Sequence, residues 1–286
     1  MRINFAKLHG LGNDYIYINN LQGEFEGVDL PLLSQKISDR HFGVGSDGLI
    51  IAQPSDKADF RMQIFNADGS EAEMCGNGMR AFAKYLYDRK IAQKKEMIIE
   101  TLAGIIKPRV VEERQGKARL ITVDMGEPVL ETLKIPANWP GKDKIINEDY
   151  DFAVGRFNIS TVSMGNPHCV IFVDSITDDL VLKKGPVIHQ DQLFPRKTNV
   201  EFIKILSENE MDMRVWERGS GETLACGTGA CASTVAAVLT GRTQRSVKIN
   251  LLGGSLQIEW NQENNRIYKT GPAEEVFQGY FVFDQA

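Results

Sequence analysis

The chain has 286 residues, 42% of them hydrophobic, which is enough for one large core or two moderate ones, and two lobes are the better expectation. Its formal net charge is -5, with acidic and basic residues interleaved, so no basic surface points to a nucleic acid or an anionic membrane. It lacks a stretch of signal-peptide character or an apolar run near the ~18 residues of a membrane helix, so a cytoplasmic protein is expected.

The predicted elements are mostly short strands, with few helices. Strand-like runs include GNDYIYI, GLIIA, FRMQIF, MIIETLAGIIKPRVV, ARLITVDM, CVIFV, VEFIKIL, MDMRVW, SVKINLLGGSLQIEW and YFVFDQA. Two segments, MRAFAKYLYDRK and ACASTVAAVLTGR, have helical patterns and end in cations that suit a helix C-terminus. The sequence therefore predicts two α+β lobes, each a sheet curled about a central helix, with the crossover near residues 124–128.

Two pairs of segments repeat at almost one separation. Cys75 and Cys226, 151 positions apart, each precede a Gly-x-Gly turn that opens one of the predicted helices. The Gly-Asn turns of GNDYIYI and GNPHCVIFV, 153 positions apart, each lead into a strand. A divergent duplication explains both offsets, with one Gly-Asn turn and one Cys-Gly-x-Gly turn in each half.

The cysteine turns suggest acid–base chemistry at a carbon next to a carboxylate. A thiol at a helix N-terminus is expected to have a lowered pKa, and the free N–H groups of a glycine turn can hold a carboxylate. One acid and one base on opposite sides of a carbon suit the inversion of a stereocentre. Their titration would belong to the pair, since two thiolates aimed at one carbon repel each other.

The remaining cysteines and histidines suggest neither a disulfide framework nor a metal site. Cys169 lies in a strand-like run and Cys231 in the enclosed helix, where free cysteines are usually buried structural residues. Cys-x-x-Cys pairs are absent and the histidines are scattered, so no metal is expected. The charged ERGSGE loop before Cys226 favours a charged ligand, with a solvated loop as the alternative.

The chain resembles the diaminopimelate epimerases over nearly its whole length. The resemblance is carried by KLHGLGNDYI, DRHFGVGSDGLI, FNADGSEAEMCGNGMR, MGNPHCV, TNVEF and ERGSGETLACGTGACAS. It implies a cofactor-independent isomerase that interconverts LL- and meso-2,6-diaminopimelate in lysine and peptidoglycan precursor biosynthesis. It also implies two pseudo-symmetric lobes, each a mixed sheet around a central helix, with the active site in the cleft between them. The lobes would be 1–124 plus 272–286, and 125–271.

The resemblance also assigns site residues by matching motif. Cys75 is implied as the proton donor and Cys226 as the acceptor for the LL substrate, with His168 and Glu217 tuning the thiols. The implied substrate-binding residues are Asn13, Asn66, Gly76, Asn77, Asn166, Asn199, Glu217, Arg218, Gly227 and Thr228. From the residues alone, His168 would be interpreted as structural.

The sequence departs from the family pattern in two places, and alternative functions remain open. Gly48 stands where some relatives carry a substrate-contacting glutamine, and Phe277 stands where family dimers use a tyrosine. A homodimer is still expected. The nearest rival is a proline or hydroxyproline racemase with two cysteines, disfavoured by Asn77. A pyridoxal phosphate racemase is disfavoured because no lysine lies in either cysteine motif. A redox-sensing or amino-acid-binding protein is the non-catalytic alternative.

Overall fold

A computed structural model describes residues 1–73 and 75–284 of the chain, which divides into two compact units. The first comprises Met1–Val123 and the segment that begins at Gly271, and the second is Asp124–Thr270. Gln285 and Ala286, which the sequence places at the end of the first lobe, lie outside the described residues. In the part that is described, no helix is long and apolar enough to cross a membrane.

The first unit is built on a mixed sheet and two helices. Its helices are α1 (Leu30–Ser38) and α2 (Gly76–Asp88). Its strands are β1 (Arg2–Gly10), β2 (Asn13–Asn19), β3 (Gly48–Gln53), β4 (Phe60–Asn66), β5 (Glu71–Ala72), β6 (Ile99–Thr101), β7 (Gly104–Ile106), β8 (Arg109–Arg114), β9 (Lys117–Asp124) and β19 (Glu274–Val282). The sheet has the order β19-β1-β2-β3-β4-β6-β7, β5 pairs with β4, and β8 forms a hairpin with β9.

The second unit has a second mixed sheet. Its helices are α3 (Gly185–His189) and α4 (Gly227–Leu239), with a π-helix at Asp179–Lys184 before α3. Its strands are β10 (Glu148–Phe152), β11 (Gly155–Ser163), β12 (Pro167–Phe172), β13 (Asn199–Ser207), β14 (Glu210–Glu217), β15 (Gly221–Glu222), β16 (Ser246–Leu251), β17 (Gly254–Trp260) and β18 (Ile267–Pro272). They follow the order β10-β11-β12-β13-β14-β16-β17-β18, and β15 pairs with β14.

The two units repeat one topology, as the offsets in the sequence suggest. In the first, β1–β2 is antiparallel, β2–β3 parallel and β3–β4 antiparallel, and β4 then pairs with β6 in parallel. In the second, β11–β12, β12–β13, β13–β14 and β14–β16 follow the same sequence of directions. The predicted α+β class with two mixed sheets is confirmed, and corresponding strands place corresponding residues at the same end of each sheet.

Each unit packs one long helix against its own sheet. Helix α2 contacts β1, β2 and β19, and helix α4 contacts β11, β12, β13 and β17. Side chains of α4 are buried continuously from Gly229 to Ala237, which confirms the prediction of an enclosed helix. Helix α2 buries cations as well, since Lys84 lies 2.8 Å from Asp88 and donates to the carbonyl of Ala118 at 2.7 Å.

Candidate active site

Both cysteines of the repeated turns are helix N-caps. Cys75 precedes α2 and Cys226 precedes α4, each with extended backbone angles. Their sulfur atoms accept hydrogen bonds from the backbone N–H groups of Gly78 at 3.3 Å and Gly229 at 3.4 Å. A side-chain oxygen usually fills this role, and the remaining N–H groups of the first turn stay available to an anion. The sequence prediction that each thiol lies at a helix N-terminus is therefore confirmed.

In the first unit, Cys75 is partly exposed and lies close to Asn13 of β2, which in turn contacts Asp47 just before β3. Its thiol donates to Asn13 Oδ1 at 3.3 Å, and Asn13 Nδ2 donates to Asp47 at 2.7 Å. The buried Tyr15 lies next to the thiol, and the negative charge of ionised Cys75, followed by burial, raises the pKa of Tyr15. Tyr15 thus remains a neutral hydroxyl beside Cys75 at any physiological pH.

In the second unit, Cys226 is buried, with only 4% of its surface exposed. The Thr228 hydroxyl lies 3.6 Å from its sulfur atom. Burial, followed by the nearby carboxyl groups of Glu217 and Glu201, raises the pKa of Cys226 well above its usual value, and Thr228 and the Gly229 N–H only partly offset this. The expectation of a lowered pKa is wrong for this thiol, because desolvation and two carboxyl groups outweigh the helix N-terminus.

A buried histidine lies close to Cys226 and is hydrogen-bonded on both sides. His168 Nδ1 lies 2.7 Å from Glu201 Oε1, and His168 Nε2 lies 2.9 Å from Asn166 Oδ1. Neither His168 nor Glu201 has exposed surface. Ligand atoms of His168, Glu201 and Cys226 lie within 4.8 Å of one another. Both ring nitrogens of His168 and Glu201 Oε1 are already engaged in hydrogen bonds, so the cluster is a hydrogen-bonded group rather than an open metal site.

The other predicted residues of the second unit lie where β13 begins and β14 ends. Asn199, the first residue of β13, bonds to both neighbouring strands. Its Nδ2 donates to the carbonyl of Pro167 at the start of β12 at 2.9 Å, and its Oδ1 accepts from the N–H of Arg218, just after β14, at 2.7 Å. Glu217 accepts a hydrogen bond from the Thr223 hydroxyl. Asn166, Asn199, Glu217 and Arg218 are thus brought to the same end of the sheet as Cys226.

The predicted residues of the first unit occupy the matching end of its sheet. Asn66, at the end of β4, pairs with Gly48 and donates to Ser70 Oγ at 2.9 Å. Asn77 lies two residues beyond Cys75 and accepts a hydrogen bond from Arg80 at 3.0 Å. Gly76 and Asn77 form the first turn of α2, as Gly227 and Thr228 do in α4.

Comparison with known proteins agrees with this geometry. The family model described as diaminopimelate epimerase matches residues 5–131 and 160–276. The diaminopimelate epimerase of Moorella thermoacetica is 51% identical over 282 residues, covering 99% of this chain and 100% of that protein. The chain belongs to the diaminopimelate epimerase family. The diaminopimelate epimerase of Leptospira biflexa is 47% identical, over 98% of this chain and 99% of that protein. That of Methanococcus maripaludis strain C5 is 49% identical, over 96% of this chain and 98% of that protein.

More distant solved structures share the fold. A Bacillus anthracis protein of the phenazine biosynthesis PhzF family matches with a TM-score of 0.69 at 17% identity, covering 99% of this chain and 100% of its own. A hydroxyproline epimerase from Agrobacterium vitis, with bound trans-4-hydroxy-L-proline, matches with a TM-score of 0.67 at 15% identity. The match covers 98% of this chain and 91% of that chain. At these identities the likeness concerns the architecture alone.

In this member of the diaminopimelate epimerase family, the structure places near the two cysteines some side chains that the sequence alone did not indicate. Tyr15 follows Asn13 by two residues, just as His168 follows Asn166, so the repeat itself carried the signal for Tyr15. Glu201 was visible as a lone acid in the apolar run VEFIKIL. Asp47 had no comparable signal, because it reaches Asn13 only through the pairing of β2 with β3.

The structure gives a physical reason for the glycine at position 48. A Cβ atom built on Gly48 would lie 2.2 Å from the Phe65 carbonyl oxygen and 3.0 Å from the Tyr15 ring. A glutamine would not fit here without a shift of the strand, and the Tyr15 ring occupies the adjacent space.

Proposed function

We propose that the protein interconverts LL- and meso-2,6-diaminopimelate by moving one proton between two cysteines, as a step in lysine and peptidoglycan precursor biosynthesis. The observation that carries the proposal is that Cys75 and Cys226 cap equivalent helices in a chain of this family. The rival proline-type racemases share only the architecture, at about 15% identity.

The family resemblance implies a different direction of proton transfer for each thiol. For the LL substrate, the Cys226 thiolate removes the α-proton and becomes a thiol, and the Cys75 thiol gives its proton to the opposite face and becomes a thiolate. The α-carbon–hydrogen bond breaks on one face and forms on the other, so atoms and charge balance. A raised pKa makes the Cys226 thiolate a stronger base once it has formed, while the same buried surroundings lower the fraction of Cys226 that is ionised.

The first turns of α2 and α4 would hold the carboxylate at the reacting centre. The N–H groups of Gly76, Asn77, Gly227 and Thr228 lie in these turns, where helices leave N–H groups without intrahelical partners. They would also stabilise the negative charge that develops as the proton leaves. His168 and Glu217 would tune the thiols. Polar contacts to the rest of the substrate fall to Asn13, Asn66, Asn166, Asn199, Glu217 and Arg218.

The proposal includes no cofactor and no macromolecular partner other than a second copy of the chain. The carboxylate-binding turns and two thiols supply the acid, the base and the charge stabilisation of a proton transfer. Neither a nucleic acid nor a membrane is proposed as a partner, and the cytoplasm is proposed as the compartment because it keeps thiols reduced.

Proton NMR in deuterated buffer tests the function directly. We expect reduced protein without added pyridoxal phosphate or metal to introduce deuterium at the α-position of LL-diaminopimelate and to form the meso isomer. L-Proline and 4-hydroxyproline, offered separately, should remain unlabelled. Exchange of proline instead would assign the protein to the rival racemases, and exchange of none of these compounds would reject the proposed function.

Strand β19 is the proposed contact between two copies of the chain. It lies at one end of the first unit's sheet order, and its Val276, Tyr280 and Val282 are 55%, 54% and 69% exposed. Phe277 lacks the hydroxyl of the family tyrosine and instead packs its ring against Phe5, with centroids 5.9 Å apart. An apolar strand with a free edge is a common surface for self-association.

Sedimentation analysis tests the homodimer. We expect the wild-type protein to sediment at twice its 32.0 kDa mass, and Val282→Glu to shift it toward the monomer because a charge would be buried at the contact. Leu133→Glu is the matched control, since Leu133 is 91% exposed in the second unit and should leave the dimer intact. A wild-type monomer at micromolar concentration would contradict the proposal.

Thiol labelling separates the two cysteines. Iodoacetamide is expected to modify Cys75 first, because Cys75 is partly exposed whereas Cys226 is buried with a raised pKa. Labelling of Cys226 should keep increasing with pH beyond the region near 8.5 in which an ordinary thiol ionises. Tandem mass spectrometry is required because Cys226 and Cys231 share one tryptic peptide. Equal labelling of both thiols at pH 7 would contradict this order.

A further inference from the structure

A carboxyl group lies inside the second unit without a part in the proposed proton transfer. Glu201, on β13, has no exposed surface. Its Oε1 contacts His168 Nδ1, and its Oε2 has no hydrogen-bond partner among the residues that the structure describes. Because a buried carboxyl group is unfavourable unless it is neutral or compensated, its presence here calls for a function.

The ring of His168 faces an oxygen atom on each side, and this fixes the number of protons. An amide oxygen only accepts hydrogen bonds, so this orientation of the Asn166 amide requires a hydrogen on His168 Nε2, which donates to Asn166 Oδ1. The second proton lies between Nδ1 and Glu201 Oε1, on one atom or the other. In both cases the Glu201–His168 pair has zero net charge, as befits two side chains with no exposed surface.

The environment of Glu201 agrees with this count. Burial raises the pKa of Glu201, and the nearby His168 partly opposes the increase. A proton shared with His168 removes the free-energy cost of an isolated buried charge. An uncharged Oε2 without a hydrogen-bond partner also costs less free energy than a charged oxygen without one. The negative charge of Glu217 acts in the same direction, since it also disfavours an ionised Glu201.

The donor at His168 Nε2 determines which end of the Asn166 amide a ligand meets. Asn166 lies just before β12 and is partly exposed. Because its side-chain oxygen is hydrogen-bonded to His168, its NH2 group points away from the histidine ring. No described residue accepts a hydrogen bond from this NH2 group. If the ring were protonated only at Nδ1, the amide would rotate to donate to Nε2 and would present its oxygen instead. An NH2 group suits a carboxylate, whereas an oxygen repels it.

We propose that Glu201 is a positioning residue for the epimerisation, which shares a proton with His168 Nδ1 and thereby holds the Asn166 NH2 group ready to donate to a substrate carboxylate. The substrate part of this inference rests on the proposed function. The hydrogen-bond chain from Glu201 through His168 to Asn166 does not, and it is testable in the protein alone.

A double-mutant cycle tests whether Glu201 acts through Asn166. Glu201→Gln keeps the side-chain size but cannot share a carboxyl proton. We expect kcat/KM to fall about 10- to 100-fold, the range known for loss of the hydrogen-bond partner of a metal-bound histidine. Asn166→Ala should reduce kcat/KM at least as much. The double variant should be no worse than Asn166→Ala, because the chain is already broken. Losses that multiply would overturn the proposal.

Thr161→Val is the matched control for a change to a buried polar side chain. Thr161 has no exposed surface, and its hydroxyl has no partner among the described residues. This variant should retain the wild-type kcat/KM. Thermal melting of every variant would show that each one is folded, and an equal loss of activity in Thr161→Val would mean that Glu201 is merely structural.

Nitrogen NMR of histidine-labelled protein without substrate provides a second readout. In the wild type, His168 Nε2 should be protonated at pH 7, and in Glu201→Gln this proton should be partly lost as the ring populates both tautomers. The signal is assigned by its absence in His168→Gln. An unprotonated Nε2 in the wild type would overturn the proposal even if Glu201→Gln failed to fold. A protonated Nε2 in a protein that does not epimerise diaminopimelate would reject only the proposed function.

Discussion

Replacing either Cys75 or Cys226 with alanine is expected to reduce epimerisation by about a thousandfold or more, because each thiol is the sole proton-transfer group proposed for its face of the α-carbon. The two variants should nevertheless differ. Without Cys75, Cys226 still removes the proton of the LL isomer and returns a deuteron to the same face. Without Cys226, Cys75 does the same to the meso isomer. NMR in deuterated buffer would then show slow exchange without inversion.

Cys231→Ala is the control for this experiment. Cys231 lies in α4 close to Cys226 and has no exposed surface, so its replacement tests the loss of a nearby buried thiol without changing the proposed proton transfer. It should keep the wild-type rate. Inversion at a normal rate in either Cys75→Ala or Cys226→Ala would refute the two-thiol mechanism, as would exchange of the same isomer in both variants.

The fold was largely predictable because its signals are local and occur twice. Alternating apolar residues indicated the strands, and the prolines and glycines marked their ends. The cysteine turns identified the starts of α2 and α4, since an N-cap followed by an apolar helical run is readable from spacing alone. The order of the strands was not readable, because β14 reaches β16 across α4 and only packing decides which strand lies beside it.

The electrostatics of the site could not be predicted from the motifs. A helix N-terminus correctly suggested donors to the Cys226 sulfur, but the sign of the pKa change depends on burial, then on Glu217 and on Glu201. Glu201 is 25 residues away in sequence. Glu201 was visible as a single acid among apolar residues. Its partner was not, since His168 meets it only when β12 pairs with β13 in parallel.

Gly229→Ala is expected to reduce epimerisation by at least about a hundredfold, the loss that a displacement of ~1 Å in a catalytic arrangement can produce. A Cβ atom at this position would lie 2.7 Å from Glu201 Oε1, 2.9 Å from Met213 Cε and 3.2 Å from Cys226 Sγ. Met213 is the flexible end of a side chain, but Glu201 is enclosed and bound to His168. The methyl group must therefore displace the carboxyl group or the sulfur atom.

Gly78→Ala is the matched comparison, because Gly78 occupies the same position of α2 relative to Cys75 as Gly229 does of α4 relative to Cys226. Its Cβ atom would meet Ile50 Cδ1 at 2.8 Å, the end of a flexible side chain, and would lie 3.3 Å from Cys75 Cβ, a looser contact than that of Gly229 with Glu201. No charged group is among its three nearest neighbours. Both variants should lose about 1–3 kcal/mol of stability from overpacking, measured by denaturant unfolding. Only Gly229→Ala should lose most of its kcat. Equal kinetic losses at equal stability would mean that helix packing, rather than the contact of Glu201 with His168 and Cys226, limits the reaction.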